Sequence, residues 1–141
     1  MFKKILIPID LTELTIAKPA LDASLELALQ AKGALRLVTV ETLLPTSFME
    51  YVPPEFDKSQ EERALRALEQ ISAGLSLPKE NISHTVRFGG IYVEILAEAD
   101  VWGADLIVVG SHRPSMATYL IGSNAKTIVR HAKCSVLVIR A

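Results

Sequence analysis

The chain has 141 residues, enough for one domain with a full core. Half of them are hydrophobic, mean hydropathy is +0.30, and Lys plus Arg number 15 against 16 Asp plus Glu, leaving a net charge of −1. That balance, with no basic stripe, argues against nucleic acid as the main partner. No apolar run approaches the ~20 residues of a membrane helix, the single Cys134 forms no internal disulfide, and Met1–Pro8 lacks a signal peptide's apolar length and cleavage site, so the expected location is the cytoplasm.

Ile5-Leu6-Ile7-Pro8-Ile9 is a continuous apolar run, as expected of a strand buried on both faces. Pro8 cannot donate a ladder hydrogen bond and so belongs near the strand's end, with Asp10 directly after. Thr15 to Lys32 reads as a helix with Leu21, Leu25, Ala28 and Leu29 on one side. Pro19 fits only within about its first turn, and Gly33 stops it. Leu35 to Glu41 is a second strand. Leu43 to Phe56 carries Pro45, Pro53 and Pro54 among Phe48, Met49 and Tyr51. It has no period and is expected to be a long mobile connection, its aromatics suited to a lid or to covering a sheet edge.

Asp57 to Gly74 reads as a helix with Ala64, Leu68, Ile71 and Leu75 as its inner stripe and Lys58 to Glu62 on the solvated face. Ile82 to Phe88 alternates and predicts a more exposed, edge strand, with His84 at the surface. Gly89-Gly90 turns into a helix from Ile91 to Trp102, ended by Gly103, with Trp102 in the core beside Leu96 and Ala99. Ala104 to Val109 is the fourth strand and Ser135 to Arg140 the fifth. Cys134, next to Val136, is expected to pack rather than react. Strands and helices alternate throughout, so residues 1–141 predict a single α/β domain: a doubly wound parallel sheet with helices on both faces.

The stretch from Val109 to Ala125 joins the fourth strand to a helix read from Asn124 to Ala132, where Ala125, Ile128, Val129 and Ala132 share one face. Gly110 stands at one end and Gly122-Ser123 at the other. Glycine lets backbone N–H groups approach a ligand, and a helix start welcomes anions. Ser123 could cap that helix or bind a phosphate oxygen. An ordinary loop with turn glycines and a cap fits the same residues.

In an open α/β sheet ligands bind beyond the carboxyl ends of the strands, where the strand order reverses. That puts Pro8-Ile9-Asp10 beside Val109-Gly110. Asp10 suits a ribose hydroxyl or a magnesium ion bridging phosphates, and equally a turn or cap. Val40, ending the second strand, suits a flat base. Neither a Walker lysine motif nor a Rossmann three-glycine turn follows the first strand. Ser111 and His112 adjoin in sequence without forming a dyad, and His112 reads as a loop residue near phosphate. No His, Cys or carboxylate cluster has metal-ligand spacing.

Lys3 to Asp10, Gly89 before Glu94-Ile95-Leu96, Ala104 to His112, Gly122-Ser123, and Val129-Arg130-His131-Ala132 before Cys134 to Arg140 recur together and in this order in one family. Over its whole length the chain resembles the universal stress protein family. Ser-His-Arg-Pro with Thr-Tyr-Leu-Ile-Gly-Ser-Asn-Ala is similar to the F/G-type bacterial subgroup. The resemblance, with the alternation of elements, implies the strand order 3-2-1-4-5. Nucleotide-binding members carry a second glycine shortly after the first; here Arg113-Pro114 stands there and the loop is slightly shorter.

The resemblance implies ATP, or else ADP or AMP, with Mg2+. Pro8, Ile9, Asp10 and Val40 would hold base and ribose, with Asp10 as the metal ligand. Val109, Gly110, Ser111, His112, Arg113, Gly122, Ser123 and Asn124 would line the phosphates. It also implies a homodimer through the last strand, at Val136 and Val138, and a further protein partner of unstated identity. The expected function is an ATP-binding dimeric sensor or regulator of the stress response. The alternatives are a family member that binds no nucleotide and acts through protein contacts, or a slow ATPase or self-phosphorylating protein.

Overall fold

A computed structural model describes residues 1–42, 56–111 and 118–140. The elements run β1 (Lys4–Pro8), α1 (Leu14–Ala31), β2 (Ala34–Glu41), α2 (Phe56–Ala73), a short 3-10 turn (Lys79–Asn81), β3 (Ile82–Phe88), α3 (Ile91–Trp102), β4 (Leu106–Gly110), α4 (Thr118–His131) and β5 (Ser135–Ile139). The expected connection from Leu43 to Phe56 lies outside the described residues, except for Phe56 itself.

The five strands form one parallel sheet in the order β3-β2-β1-β4-β5, as expected. β1 is central, so its two neighbours hide its edges and the helices hide its faces. Successive side chains point to opposite faces of a strand. Ile5, Ile7, Leu35, Leu37, Leu106 and Val108 therefore pack under Ala20 and Ala28 of α1 and Leu68 of α2. Leu6, Val38, Ile107 and Val109 pack under Ile95 and Ala99 of α3 and Ile128 of α4. The continuous apolar runs of β1 and β4 reflect these two cores. β3 lies at the edge, as its alternation predicts.

Pro8 ends β1 opposite Val38, and the ladder resumes one residue later where the Ile9 N–H donates to the Val38 carbonyl at 2.8 Å. The approach of α1 to the sheet is set by small residues, Ala20, Ser24 and Ala28, one turn apart. The buried Ser24 hydroxyl donates to the Ala20 carbonyl at 2.7 Å, so no polar atom is stranded.

Three expectations are corrected. Pro19 lies beyond the first turn of α1. Its missing N–H is tolerated because both it and Thr15, whose carbonyl loses a partner, face solvent. Leu29 is 43% exposed and not part of the inner face; the seam of small residues leaves it to one side. The residue that ends α1 in the left-handed conformation is Lys32 (φ 53°), not Gly33. Gly33 is needed for room: a Cβ there would stand 2.8 Å from the Lys3 carbonyl oxygen, where α1 turns into β2 against β1.

Candidate functional site

A cleft of about 340 Å³ opens at the carboxyl ends of β1, β2 and β4. β1 leads into it through Pro8, Ile9 and Asp10, β2 through Val38 to Glu41 with Thr42, and β4 through Val109 and Gly110. α1 contributes Ile16, Ala17 and Ala20, α3 contributes Ile91 and Ile95, and α4 contributes Asn124, Ala125 and Ile128. β1 is the point where strand order reverses, which is where an α/β sheet leaves a crevice.

The turn after β1 is built on Asp10. Its Oδ1 accepts from the Thr12 N–H at 3.0 Å and the Thr12 hydroxyl at 2.6 Å, and its carbonyl accepts from the Glu13 N–H at 3.1 Å. Asp10 thus performs the turn role and lines the cleft as well. The Thr39 hydroxyl donates to the Ile9 carbonyl at 2.8 Å, tying the ends of β1 and β2 together. Beyond them, the Glu41 carboxylate accepts from the Gln60 amide of α2 at 2.7 Å.

On the α3 side the cleft is backed by ions. Arg87 of β3 donates from Nε to Glu94 and from Nη1 to Glu98, each at 2.9 Å. Glu98, only 4% exposed, also accepts from Arg36 of β2 at 2.9 Å, so each of its oxygens meets a guanidinium. Arg36 donates from Nε to the Ser83 hydroxyl at 2.8 Å and stacks on Trp102, 4.9 Å from the ring centre. Lys4 approaches the same ring at 5.2 Å. The Arg87 guanidinium is held above its usual value, foremost by the hydrogen bond to Glu94 and less by Glu98, against an opposing effect of burial. Burial pushes the Cys134 thiol up, which disfavours the reactive thiolate and agrees with a packing residue just ahead of β5.

The structure brings Pro8, Ile9, Asp10, Val40, Val109, Gly110 and Asn124 to one cleft. Ser111 follows directly after β4 and donates its N–H to the Ile139 carbonyl at 2.8 Å. His112 and Arg113 lie outside the described residues. Gly122 and Ser123 do not start a helix. α4 begins at Thr118, so both lie more than one turn inside it, where backbone N–H groups are already spent on the preceding turn. The physical reason is visible in the sequence: Ile121 continues the spacing of Ala125 and Ile128 backwards, and one interior glycine costs only about 1 kcal/mol.

Sequence reasoning missed Leu11, Thr12 and Glu13 in the turn, Ile91 and Ile95, and the inner face of α1. It also missed the Arg36–Glu98–Arg87–Glu94 network, for which a signal existed. Glu94 and Glu98 are a turn apart on an apolar helix, and Arg36 and Arg87 interrupt strands.

Among the described residues the cleft is lined by the carboxylates of Asp10, Glu13 and Glu41 and by no Lys, Arg or His. No group of three or more metal-ligating side chains occurs among them. These carboxylates would suit a divalent cation carried in by a phosphate-bearing ligand. Asp10 offers one hard oxygen ligand, since Mg2+ keeps waters and substrate phosphates as its remaining ligands.

The fold and the position of the cleft define a doubly wound α/β domain with a crevice at its switch point. The model of the universal stress protein family matches residues 1–140, and the chain belongs to that family. Universal stress protein G of Shigella flexneri is 33% identical over 147 residues, covering 99% of this chain and 100% of that protein. The solved structure of universal stress protein UspA from Lactobacillus plantarum has a TM-score of 0.75 at 25% identity, covering 98% of this chain and 97% of that one. A universal stress protein solved in complex with cAMP shares the fold, with a TM-score of 0.67 at 20% identity, covering 99% of this chain and 97% of that one. No helix among the described residues is long and apolar enough to cross a membrane.

Proposed function

We propose that this chain is a cytoplasmic regulator of the stress response that binds an adenine nucleotide, ATP with Mg2+, in the cleft and works as a homodimer. The observation that carries this reading is the 340 Å³ cleft, which gathers Pro8, Ile9, Asp10 and Val40 with Val109, Gly110 and Asn124 at the switch point of the sheet. Pro8, Ile9 and Val40 offer apolar contact to a base, and Val40 adds backbone groups at the end of β2. Asp10 offers a carboxylate to a ribose hydroxyl or to the magnesium ion. The phosphates fall to Gly110, Ser111 and Asn124, joined by His112 and Arg113. When bound, Mg2+ offsets phosphate charge beside an acidic lining. A family relative in complex with cAMP lends the nucleotide class further support.

The dimer is proposed through β5, an edge strand whose Val138 is 39% exposed and which would otherwise offer an apolar edge for aggregation. Val138→Lys should weaken association in analytical ultracentrifugation; a wild-type chain monomeric at high concentration rejects the dimer.

The nucleotide is tested by mass spectrometry of whatever the purified protein releases on denaturation, together with calorimetry. Wild type should bind ATP with magnesium, and Asp10→Ala should weaken this by about tenfold, roughly 1.4 kcal/mol. If wild type ignores ATP, ADP and AMP with magnesium and releases no nucleotide, the reading fails. One observation favours a second reading, a family member acting only through protein contacts: α4 starts at Thr118, so Gly122 and Ser123 do not present a helix start to phosphate.

A further inference from the structure

We propose that Arg87 and Glu94 are positioning residues for the cleft, holding the Gly89-Gly90 turn and the first turn of α3 so that Ile91 and Ile95 wall the cavity they share with Val40. The inference rests on the nucleotide reading and concerns how that site keeps its shape. Val40 pairs in register with Arg87, and Glu41 with Phe88, so the end of β2 and the end of β3 move as one. The next residue, Gly89, donates its N–H to the Glu41 carbonyl at 3.0 Å. Gly89 has φ +142°, and a Cβ there would lie 3.0 Å from Glu94 Oε2. Glu94 therefore lies against the turn and fills the space a side chain would take. Its N–H donates to the Gly90 carbonyl at 3.0 Å, which begins α3.

One guanidinium binds both Glu94 and Glu98, a helical turn apart on α3. Two directional bonds to successive turns fix both the rotation of α3 and its position along its axis. An apolar contact alone would permit either to slip. Ile91 and Ile95 occupy the same stretch of α3 as Glu94, so the cleft wall inherits that placement. Glu94 itself is not among the residues lining the cleft.

The test measures binding of adenosine and of Mg-ATP by calorimetry, well below the melting temperature, for wild type, Glu94→Ala, Glu94→Gln and Arg87→Lys. Glu94→Ala should lower the affinity for both ligands about tenfold, because the wall serves the nucleoside that both share. Glu94→Gln keeps an oxygen acceptor for Arg87 and should stay within about threefold of wild type. A pair with a merely structural role would lower the melting temperature and leave affinity unchanged. Wild-type affinity in folded Glu94→Ala, or a loss confined to Mg-ATP, overturns the inference and leaves the nucleotide reading standing. Wild type binding neither ligand ends both. Should Glu94→Ala not fold, Arg87→Lys decides: a single ammonium does not reproduce the two fork bonds, so affinity for both ligands should fall, and unchanged affinity overturns the inference.

Discussion

The two sides of the cleft pack on one apolar cluster but differ in the charge pairing added to it. On the α3 side, Arg36, Arg87, Glu94 and Glu98 join β2 and β3 to one helix through hydrogen-bonded ion pairs. On the α4 side, Ile128 packs on Leu6, Ile107 and Val109, with Ala125 and Ala132 against the same cluster. Apolar packing resists separation but is weakly directional, whereas paired charges specify an orientation. The β2–β3–α3 wall thus adds direction to the apolar packing of Ile95 and Ala99, whereas the β4–α4 wall rests on area.

The largest expected effect comes from removing the shared carboxylate of the ionic wall. Glu98→Ala leaves two guanidinium groups without their common partner and should cost about 3–5 kcal/mol in urea unfolding. A loss below about 1 kcal/mol would mean that the network is solvated and that both walls rest on packing. Arg87 does not weaken this expectation at working pH. The guanidinium is held above its usual value, so its contribution is fully present below the unfolded-state value and is lost only as pH rises through the folded-state one.

Gly89→Ala comes next. It forces a side chain into φ +142° and against Glu94, and should cost roughly 1–3 kcal/mol. If the ionic wall starts at this turn, hydrogen exchange should quicken in the first turn of α3 and stay unchanged in α4; equal quickening in both helices would erase the distinction between the walls.

The smallest effect is expected on the apolar side. Ile128→Val should cost about 1 kcal/mol, and that cost should be the same at low and high salt. A clear salt dependence would show that charge also acts on the α4 side.

Much of the fold was legible because strand and helix periods differ. Ile5 to Ile9 and Leu106 to Val109 are apolar without a break because both faces of those strands are covered. Ile82 to Phe88 alternates because Ile82 and Val86 join the apolar cluster under α2 while Ser83 and Arg87 hydrogen-bond on the opposite face. Helix limits set by glycine at Gly90 and Gly103 were read to the residue in α3. Where local signals competed with tertiary packing they misled. Gly122-Ser123 looks like a helix start, Pro19 like a first-turn residue and Gly33 like a left-handed cap, yet the helices pass through the first two and the cap is Lys32.

The sequence by itself determined the parallel α/β class, the central place of the first strand and the family, because periodicity and motif order are local properties of the chain. It also marked Pro8, Asp10, Val40 and Gly110 as strand-end residues. Only the tertiary structure decided that Ile91, Ile95 and the inner face of α1 join them in one cleft. It alone brought Arg36, Arg87, Glu94 and Glu98 together, residues of three elements whose meeting depends on the register of β2 with β3 and on the rotation of α3. A charge in an apolar segment shows that it needs a partner; which partner it finds is set by distances that no sequence spacing contains.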